Sequence, residues 1–553
     1  LIRRQRQMCI RDRSERITEL VASYQELYEH YYGNKEFRDQ VIETFIQDPQ
    51  LFNKLVRFFD KYIAEDYKTR KYILLTAFSA FTDSPLNLAV KAPTSEGKTH
   101  NVTTITKFFP KKSVIKLGSA SPTAFIHDSG ATLVDDDLRS IEPQLEQIEE
   151  EMRTANNEGK KELAKERREL LRNAKYLVDL SKKIVVFLEE PHPELWKKLR
   201  PILSHDSPEV EYRITDKSSS GLRAKTVVVR GYPAVIYCTT RVEDISIEDE
   251  LKSRFLSVTT DQTKEKYERA LEIIARSAYT SLSDSLEDNL IKDVIERLTR
   301  VVEFYSKYIE PIGLLSICNS VFSYKSGVVL RKFKEFVSLL KIHTAIHGKS
   351  RPILQIEGSS IYLPILEDYE KVLEIISDSN LNVEPHVMEF FKSIEEFINE
   401  REFFTLEDLM EWLRERGRIY SGEYVRKVLR ACVYAGFLSV EKDPEDRRRN
   451  LYTARYVPNH AYQATKEIYN KIDFEKELQE VIKRYLKVIK DSNNQKYLQL
   501  SLKYGINGFE QNWSFSSENE CVGVLVEYLR MVFFRNRING IFKENKPIEK
   551  KRK

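Results

Sequence analysis

Apolar positions along this chain follow two rhythms, and the changes between them mark the elements. Three short runs, Leu86-Asn87-Leu88-Ala89-Val90, Lys183-Ile184-Val185-Val186-Phe187-Leu188 and Ala234-Val235-Ile236-Tyr237-Cys238, predict strands buried on both faces, as in a parallel sheet. Elsewhere the spacing is helical. Ile17, Leu20, Val21, Tyr24, Leu27 and Tyr28, then Val41, Phe45, Leu51, Leu55 and Phe58, predict a helical region over residues 14–70. Ile141, Leu145, Ile148 and Met152 recur at 4-3-4 spacing with charges between them. Asn156-Asn157-Glu158-Gly159 interrupts that pattern, and Leu163, Leu170, Ala174 and Leu177 resume it. Residues 137–182 are therefore expected to form an antiparallel helical hairpin of coiled-coil type, inserted ahead of the second strand. Its charged stripe reads as a solvated face, suited to decoration or to docking a partner.

Two further segments carry period-two or mixed patterns. Glu211–Thr215 and Thr226–Val229 predict paired strands within a hairpin over 210–230. The expected tip is Lys217-Ser218-Ser219-Ser220-Gly221-Leu222-Arg223, polar and glycine-containing, with two cations. In residues 385–457, Thr405 caps a helix carrying Leu406, Leu409, Met410 and Leu413. Gly417–Tyr420 turns the chain, and Ser421 caps a second helix through Val425, Val428, Leu429 and Val433, whose outer face holds Arg426, Lys427 and Arg430. Phe437–Val440 and Leu451–Ala454 then flank a tip containing Arg447 and Arg448. Helix, turn, helix and hairpin in this order look like a winged helix, which would set the second helix in a DNA groove and its wing arginines on phosphates. Residues 458–553 are expected to be helical, with Phe474, Leu478, Val481, Ile482, Leu486 and Ile489 in register, and end in the basic tail Lys550-Lys551-Arg552-Lys553.

Composition adds bounds. A chain of 553 residues holds several domains, and its 29 Tyr and 28 Phe mark it as folded. Lys and Arg number 89 against 85 Asp and Glu, so the net charge of +4 does not by itself argue for a nucleic-acid partner. Five scattered cysteines without paired spacing predict neither a disulfide frame nor a zinc ribbon, and suit a reducing, cytoplasmic compartment. Cys238 and Cys318 lie in apolar runs and are expected in the core. No stretch reaches the length of a membrane span. Residues 1–13, LIRRQRQMCIRDR, resemble translated sequencing-adapter read-through, an adapter-derived or disordered segment outside the fold. A basic nucleic-acid arm is the other reading of these residues.

The chemistry gathers at the ends of the three apolar runs. After the first comes Ala92-Pro93-Thr94-Ser95-Glu96-Gly97-Lys98-Thr99, which fits the phosphate-loop pattern G-x-x-x-x-G-K-S/T with Ala in first place. Such a turn, closing on a helix expected over His100–Phe109, brings backbone N–H groups close to phosphates. Lys98 would reach the β- and γ-phosphates, and the Thr99 hydroxyl would hold Mg²⁺. The second run ends in Glu189-Glu190, where strand ends face the ligand crevice of an open α/β sheet. Glu189 is assigned to the Mg²⁺ shell and Glu190 to orienting and polarising water. The third run ends in Thr239-Thr240, whose hydroxyls can bond the water or the γ-phosphate. Shortly after comes Ser253-Arg254-Phe255.

Phosphate loop, acidic strand, polar-tipped strand and Ser-Arg-Phe, in that order, resemble the AAA+ ATPases. The resemblance makes Arg254 a finger that reaches a neighbouring subunit's nucleotide, a role that suits the planar, permanently charged guanidinium. Glu189 departs from the Asp usual in its place. Leu117–Ile126, Ile202-Leu203-Ser204-His205-Asp206 and Arg254-Phe255-Leu256-Ser257 before Asp261-Gln262-Thr263 look like segments of ATPases attached to phage-type primases, relatives of the minichromosome maintenance (MCM) helicases. The resemblance covers roughly residues 75 to 375. It implies a ring, taken as a hexamer, whose 210–230 hairpin touches single-stranded or forked DNA through Lys217, Arg223 and Lys225. It also implies a second nucleotide-sensing arginine, Arg331, opening a helix of the lid that runs to His347, and a final lid helix from Asp368-Tyr369-Glu370. The expected architecture is α/β. An AAA+ core spans 71–275, with a parallel sheet flanked by helices and the helical hairpin inserted; a helical lid follows over 276–384, then the winged helix and a helical tail. The expected function is an ATP- and Mg²⁺-dependent, ring-forming DNA helicase or translocase in replication. Any primase or initiator would be a separate chain. The alternatives are an initiator or loader of AAA+ type without helicase activity, and a nucleotide-gated DNA-binding regulator.

Overall fold

The computed structural model describes residues 29–118, 131–218, 221–240, 254–279, 286–314, 317–318, 327–356, 359–379, 390–391, 393–434, 438–443, 446, 448–454, 476–477, 480, 498–503 and 510–515. Helices α1 (Lys35–Ile46), α2 (Leu51–Phe58) and α3 (Tyr67–Ser79) come first, and α3 runs across the 70/71 boundary expected from the sequence. Strand β1 (Leu88–Lys91) leads through the loop into α4 (Lys98–Thr106), followed by β2 (Val114–Leu117) and β3 (Thr132–Val134). Helices α5 (Glu142–Thr154) and α6 (Asn157–Asn173) form the inserted hairpin, with the Asn156 side chain accepting the Gly159 N–H to cap the second. Then come β4 (Lys175–Asp179), β5 (Ile184–Phe187), α7 (Pro193–Leu203), β6 (Glu209–Ser218), β7 (Gly221–Arg230), β8 (Ala234–Thr239) and β9 (Leu256–Thr259).

Five of these strands make a wholly parallel sheet in the order β2-β5-β8-β1-β9. Alternation along each strand sends side chains to two cores. On one face Leu88, Val90, Ile184, Val186, Ala234, Ile236, Leu256 and Val258 join a large core that also contains α1 to α4 and the helices that follow the sheet. On the other face Ala89, Val185, Phe187, Val235 and Tyr237 pack with Trp196 and Leu199 of α7 and with Val227 and Val229 of β7. Trp196 stacks edge-on against Phe187, Tyr237 and Phe255, at 5.7, 5.2 and 5.3 Å between ring centroids. A second sheet, β3-β4-β7-β6, stands behind that face.

Beyond the sheet lie α8 (Lys264–Tyr279), α9 (Leu286–Tyr305), α10 (Gly327–Ile346), β10 (Ile353–Ile356), β11 (Ser359–Tyr362) and α11 (Leu366–Ser379). The Asp368 carboxylate, fully buried, is clamped by the Arg351 guanidinium at 2.6 and 2.8 Å and by His343 Nδ1 at 2.7 Å. The C-terminal part holds α12 (Glu395–Asn399), α13 (Leu406–Glu415), α14 (Gly422–Tyr434), β12 (Leu438–Lys442) and β13 (Asn450–Ala454) around a core of their own. Thr405 and Asp408 form a reciprocal capping box at the start of α13. Strands β14 (Leu498–Lys503) and β15 (Glu510–Phe515) complete the described chain.

Four sequence expectations are corrected. Leu177 lies in β4, not in the inserted helix; α6 ends at Asn173, and Leu177 packs with Val134 and Val228 in a small sheet core. Lys217 and Arg223 are not at a loop tip. The ladder between β6 and β7 continues through Asp216↔Arg223 and Lys217↔Leu222 to Ser218↔Gly221, so both residues stand in paired strands. Residues 276–384, expected as a helical lid, are not purely helical, because β10 and β11 form an antiparallel hairpin among them. Nor is the C-terminal region helical throughout: β14 pairs with β10 and β15 with β14. Leu498, Leu500 and Leu502 alternate with Gln499, Ser501 and Lys503, a period of two that fits a strand and not a helix. Phe474, Leu478, Val481, Ile482, Leu486 and Ile489 lie outside the described residues.

Candidate active site at the tip of the parallel sheet

The C-terminal edge of the sheet is where chain order reverses around β1, the place where open α/β sheets form ligand crevices. The loop over Ala92–Gly97 leaves β1 there. Ser95 and Gly97 take positive φ, 69° and 80°, a backbone that curls the loop so that successive amides can converge on an anion. Gly97 is the residue that does this without strain. Helix α4 starts at Lys98, whose ammonium reaches back to donate to the Pro93 carbonyl at 2.6 Å. Burial lowers the Lys98 pKa, and the nearby Glu96 carboxylate partly offsets that. Thr99 is exposed at the first turn of α4 and bonded to Cys238. Burial pushes the Cys238 thiol up to about 11, so it stays protonated beneath the loop. Pro93, Thr94 and Ser95 are exposed and Ala92 is buried.

The strand order brings the other two motif tips to the same place. β8 lies between β1 and β5, so its hydroxyl end falls between the loop and the carboxylates. The Ala92 N–H donates to the Thr239 carbonyl at 3.2 Å, and the buried Thr239 hydroxyl donates to Glu190 Oε2 at 2.9 Å. Glu189 and Thr240 are exposed at their strand tips. Hydroxyl and carboxylate oxygens are the donor type that Mg²⁺ takes, and Mg²⁺ bound with a nucleotide needs only one or two protein oxygens. Among the described residues no group of three or more His, Cys, Asp or Glu could hold a metal ion by itself.

Arg254 is elsewhere. It precedes β9 by two residues, and β9 runs parallel to β1 with Leu256 beside Leu88 and Thr259 beside Lys91. Four residues of strand, about 13 Å, therefore separate the Arg254 edge from the loop edge. Arg254 Nη1 donates to the Arg200 carbonyl at 3.4 Å, late in α7, which itself runs away from Glu190. Burial lowers the Arg254 pKa, and the Arg331 and Arg200 guanidiniums beside it lower it further, with Asp206 opposing them. Guanidinium does not titrate, so Arg254 stays charged despite its partial burial beside two other arginines. Arg331 lies four residues inside α10 and does not open it. The structure thus groups Arg331 with Arg254, away from Lys98.

Of the nucleic-acid candidates, Lys217 is in β6, and Arg223 and Lys225 are in β7, opposite Asp216 and Ile214 in the ladder. Arg426, Lys427 and Arg430 are exposed on one side of α14, and Arg448 is exposed between β12 and β13. Arg447 lies outside the described residues, as do residues 241–253. The sequence reading missed a buried polar group under the loop. Lys266, Asp66, Asn101 and Asp261 meet there, and Tyr267 donates to the Glu96 carboxylate at 3.0 and 2.9 Å. Their only sequence signal is a few polar residues at helix starts, nearly 200 positions apart.

No family profile matches the chain, and no curated protein matches it. Among solved structures it is similar to a full-length MCM homologue from Methanopyrus kandleri, at 12% identity and TM-score 0.32 over 63% of this chain and 61% of that one. It is also similar to the ORC1 protein of Aeropyrum pernix, solved in complex with DNA, at 9% identity and TM-score 0.21 over 76% of this chain and 96% of that one. The chain spans about three fifths of the MCM homologue's length. Its functional reading therefore rests on the residues at the sheet edges. Among the described residues no helix is long and apolar enough to cross a membrane.

Proposed function

We propose that this protein is an ATP-hydrolysing enzyme of the AAA+ kind that works on DNA as a homo-oligomeric ring. The carrying observation is the convergence at one sheet edge: the Ala92 amide on the Thr239 carbonyl, the Thr239 hydroxyl on Glu190, and Lys98 at the start of α4. In this reading the loop amides and Lys98 hold the β- and γ-phosphates. Thr99 and Glu189 would hold Mg²⁺, which when bound screens phosphate charge. Glu190, oriented by Thr239, positions the attacking water and draws its proton. Hydrolysis then depends on placement and charge stabilisation more than on covalent chemistry. Arg254 stands at the far edge from its own loop, so its phosphate is a second copy's, and Arg331 beside it serves that same nucleotide.

The β6–β7 ribbon and the exposed cations of α14 are the proposed DNA contacts, with α13, α14 and the β12–β13 hairpin acting as a winged helix. Turnover of MgATP with and without forked DNA tests the reading, alongside Glu190→Gln. A parent that hydrolyses no faster than Glu190→Gln ends it. Strand displacement from a tailed duplex then separates helicase from loader.

A further inference from the structure

We infer that Lys266 is a positioning residue for the phosphate loop, holding the Glu96–Gly97 peptide so that the Gly97 N–H is presented to phosphate. The inference rests on the nucleotide reading of the loop. Lys266 lies in the first turn of α8, with its side chain 8% exposed. Its ammonium has three N–H donors, and three acceptors surround it: the Glu96 carbonyl at 3.1 Å, the Asp261 carbonyl at 2.7 Å and Asp66 Oδ2 at 2.9 Å. The group is fully satisfied and so fixed in place. In a trans peptide the C=O and the following N–H point in opposite directions. With the Glu96 carbonyl turned to Lys266, the Gly97 N–H is turned away from α8, and the positive φ at Gly97 holds that orientation.

The anchor beneath Lys266 is equally determined. Asp66 is buried, accepts from Asn101 Nδ2 at 2.7 Å and from the Asp261 N–H at 2.6 Å, and donates its own N–H to Asp261 Oδ2 at 3.0 Å. Its φ of 51° suits this closed pair of contacts. Loop, α4, the start of α3 and the start of α8 are thus tied through one ion pair, Lys266 to Asp66, with α4 joined to it by Asn101. A buried ion pair is seldom the most stable filling for its volume. Here one of its donors is spent on loop main chain, which an apolar side chain could not supply.

The test is steady-state hydrolysis by the full chain. Variants are Lys266→Met/Asp66→Asn, which removes both charges together, and Lys266→Arg, whose planar fork cannot serve the same three acceptors. Gly97 N–H binds ground state and transition state alike, so KM for MgATP should rise about tenfold or more with kcat little changed. Melting should remain cooperative in at least the Arg variant. A merely structural lysine would shift the melting transition and leave KM alone. Unchanged KM in either folded variant overturns the inference. Parent and Lys98→Ala are run in parallel: if the parent neither binds nor hydrolyses MgATP, the nucleotide reading itself fails. If those two differ as expected and the Lys266 variants match the parent, only the positioning role falls.

Discussion

Mixing two inactive variants gives the sharpest test of how the site is completed. Glu190→Gln removes the carboxylate proposed to position water but leaves Arg254 intact. Arg254→Ala does the reverse. Alone, the arginine variant should lose about a thousandfold or more in turnover, the range for such a finger. The parallel register of β9 and β1 puts Arg254 about 13 Å from its own loop edge, too far for its side chain to span. If the arginine serves a second copy, an active interface needs an intact Glu190 on one protomer and an intact Arg254 on the next. In an equal, exchanged mixture one of the four ordered pairings meets that need, so about a quarter of the parental rate per site returns. The assay is phosphate release from MgATP across mixing ratios, after incubation long enough for protomers to exchange. The recovery should peak at equal amounts. A mixture no faster than the sum of its separate components would refute the two-copy geometry for Arg254.

Four further outcomes follow from the structure. Lys98→Ala should abolish MgATP binding in titration calorimetry, since it removes the ammonium that reaches back from α4 across the loop to the Pro93 carbonyl. Gly231→Ala should cost about 3 kcal/mol or more in urea unfolding, because φ is +86° and the added Cβ would lie 2.1 Å from Ser181 Oγ and 2.6 Å from its backbone nitrogen. Burial would raise the Asp368 carboxyl, but Arg351 and His343 hold it well below its ordinary 3.8. Its contribution is therefore complete above the unfolded-state pKa near 4 and is lost as pH falls through the lower folded value; Asp368→Asn should flatten that acid limb and cost about 3–5 kcal/mol near neutrality, read by denaturation at several pH values. Cys238, with its thiol pushed up to about 11 by burial, should resist iodoacetamide at pH 8 in the native protein and react once unfolded, as read by mass spectrometry.

The parts of the site that announce themselves locally were legible from residues alone. The strands Leu88–Lys91, Ile184–Phe187 and Ala234–Thr239 are continuous apolar runs, and a central parallel strand must be one. The loop after the first matches the phosphate-loop spacing in its own eight residues. What could not be read is what depends on contacts distant in sequence. Asp66 and Lys266 are ordinary charged residues at the starts of two helices, and only the fold places them 2.9 Å apart. That Arg331 neighbours Arg254 follows from how α10 packs, not from its own helix. The hairpin tip was misjudged because Lys217 to Arg223 is polar and glycine-containing, the composition of a loop, although the ladder runs through it. There strand pairing overrides local preference.

The ribbon of β6 and β7 is attached unevenly. Each strand is ten residues, yet β4 pairs with β7 only from Val227 to Arg230. Val227 and Val229 are set in the core behind Phe187 and Tyr237, a few residues below Glu190 and Thr239. Gly221 to Thr226 continue past that root with β6 as their sole described neighbour, an overhang of about 20 Å. The arrangement is a pointer on a short pivot: a tilt of about 10° at the valines carries its end about 3–4 Å, on the scale of one residue along a strand. A displacement too small to notice at Val227 and Val229 is, at the far end of this arm, a full residue's length.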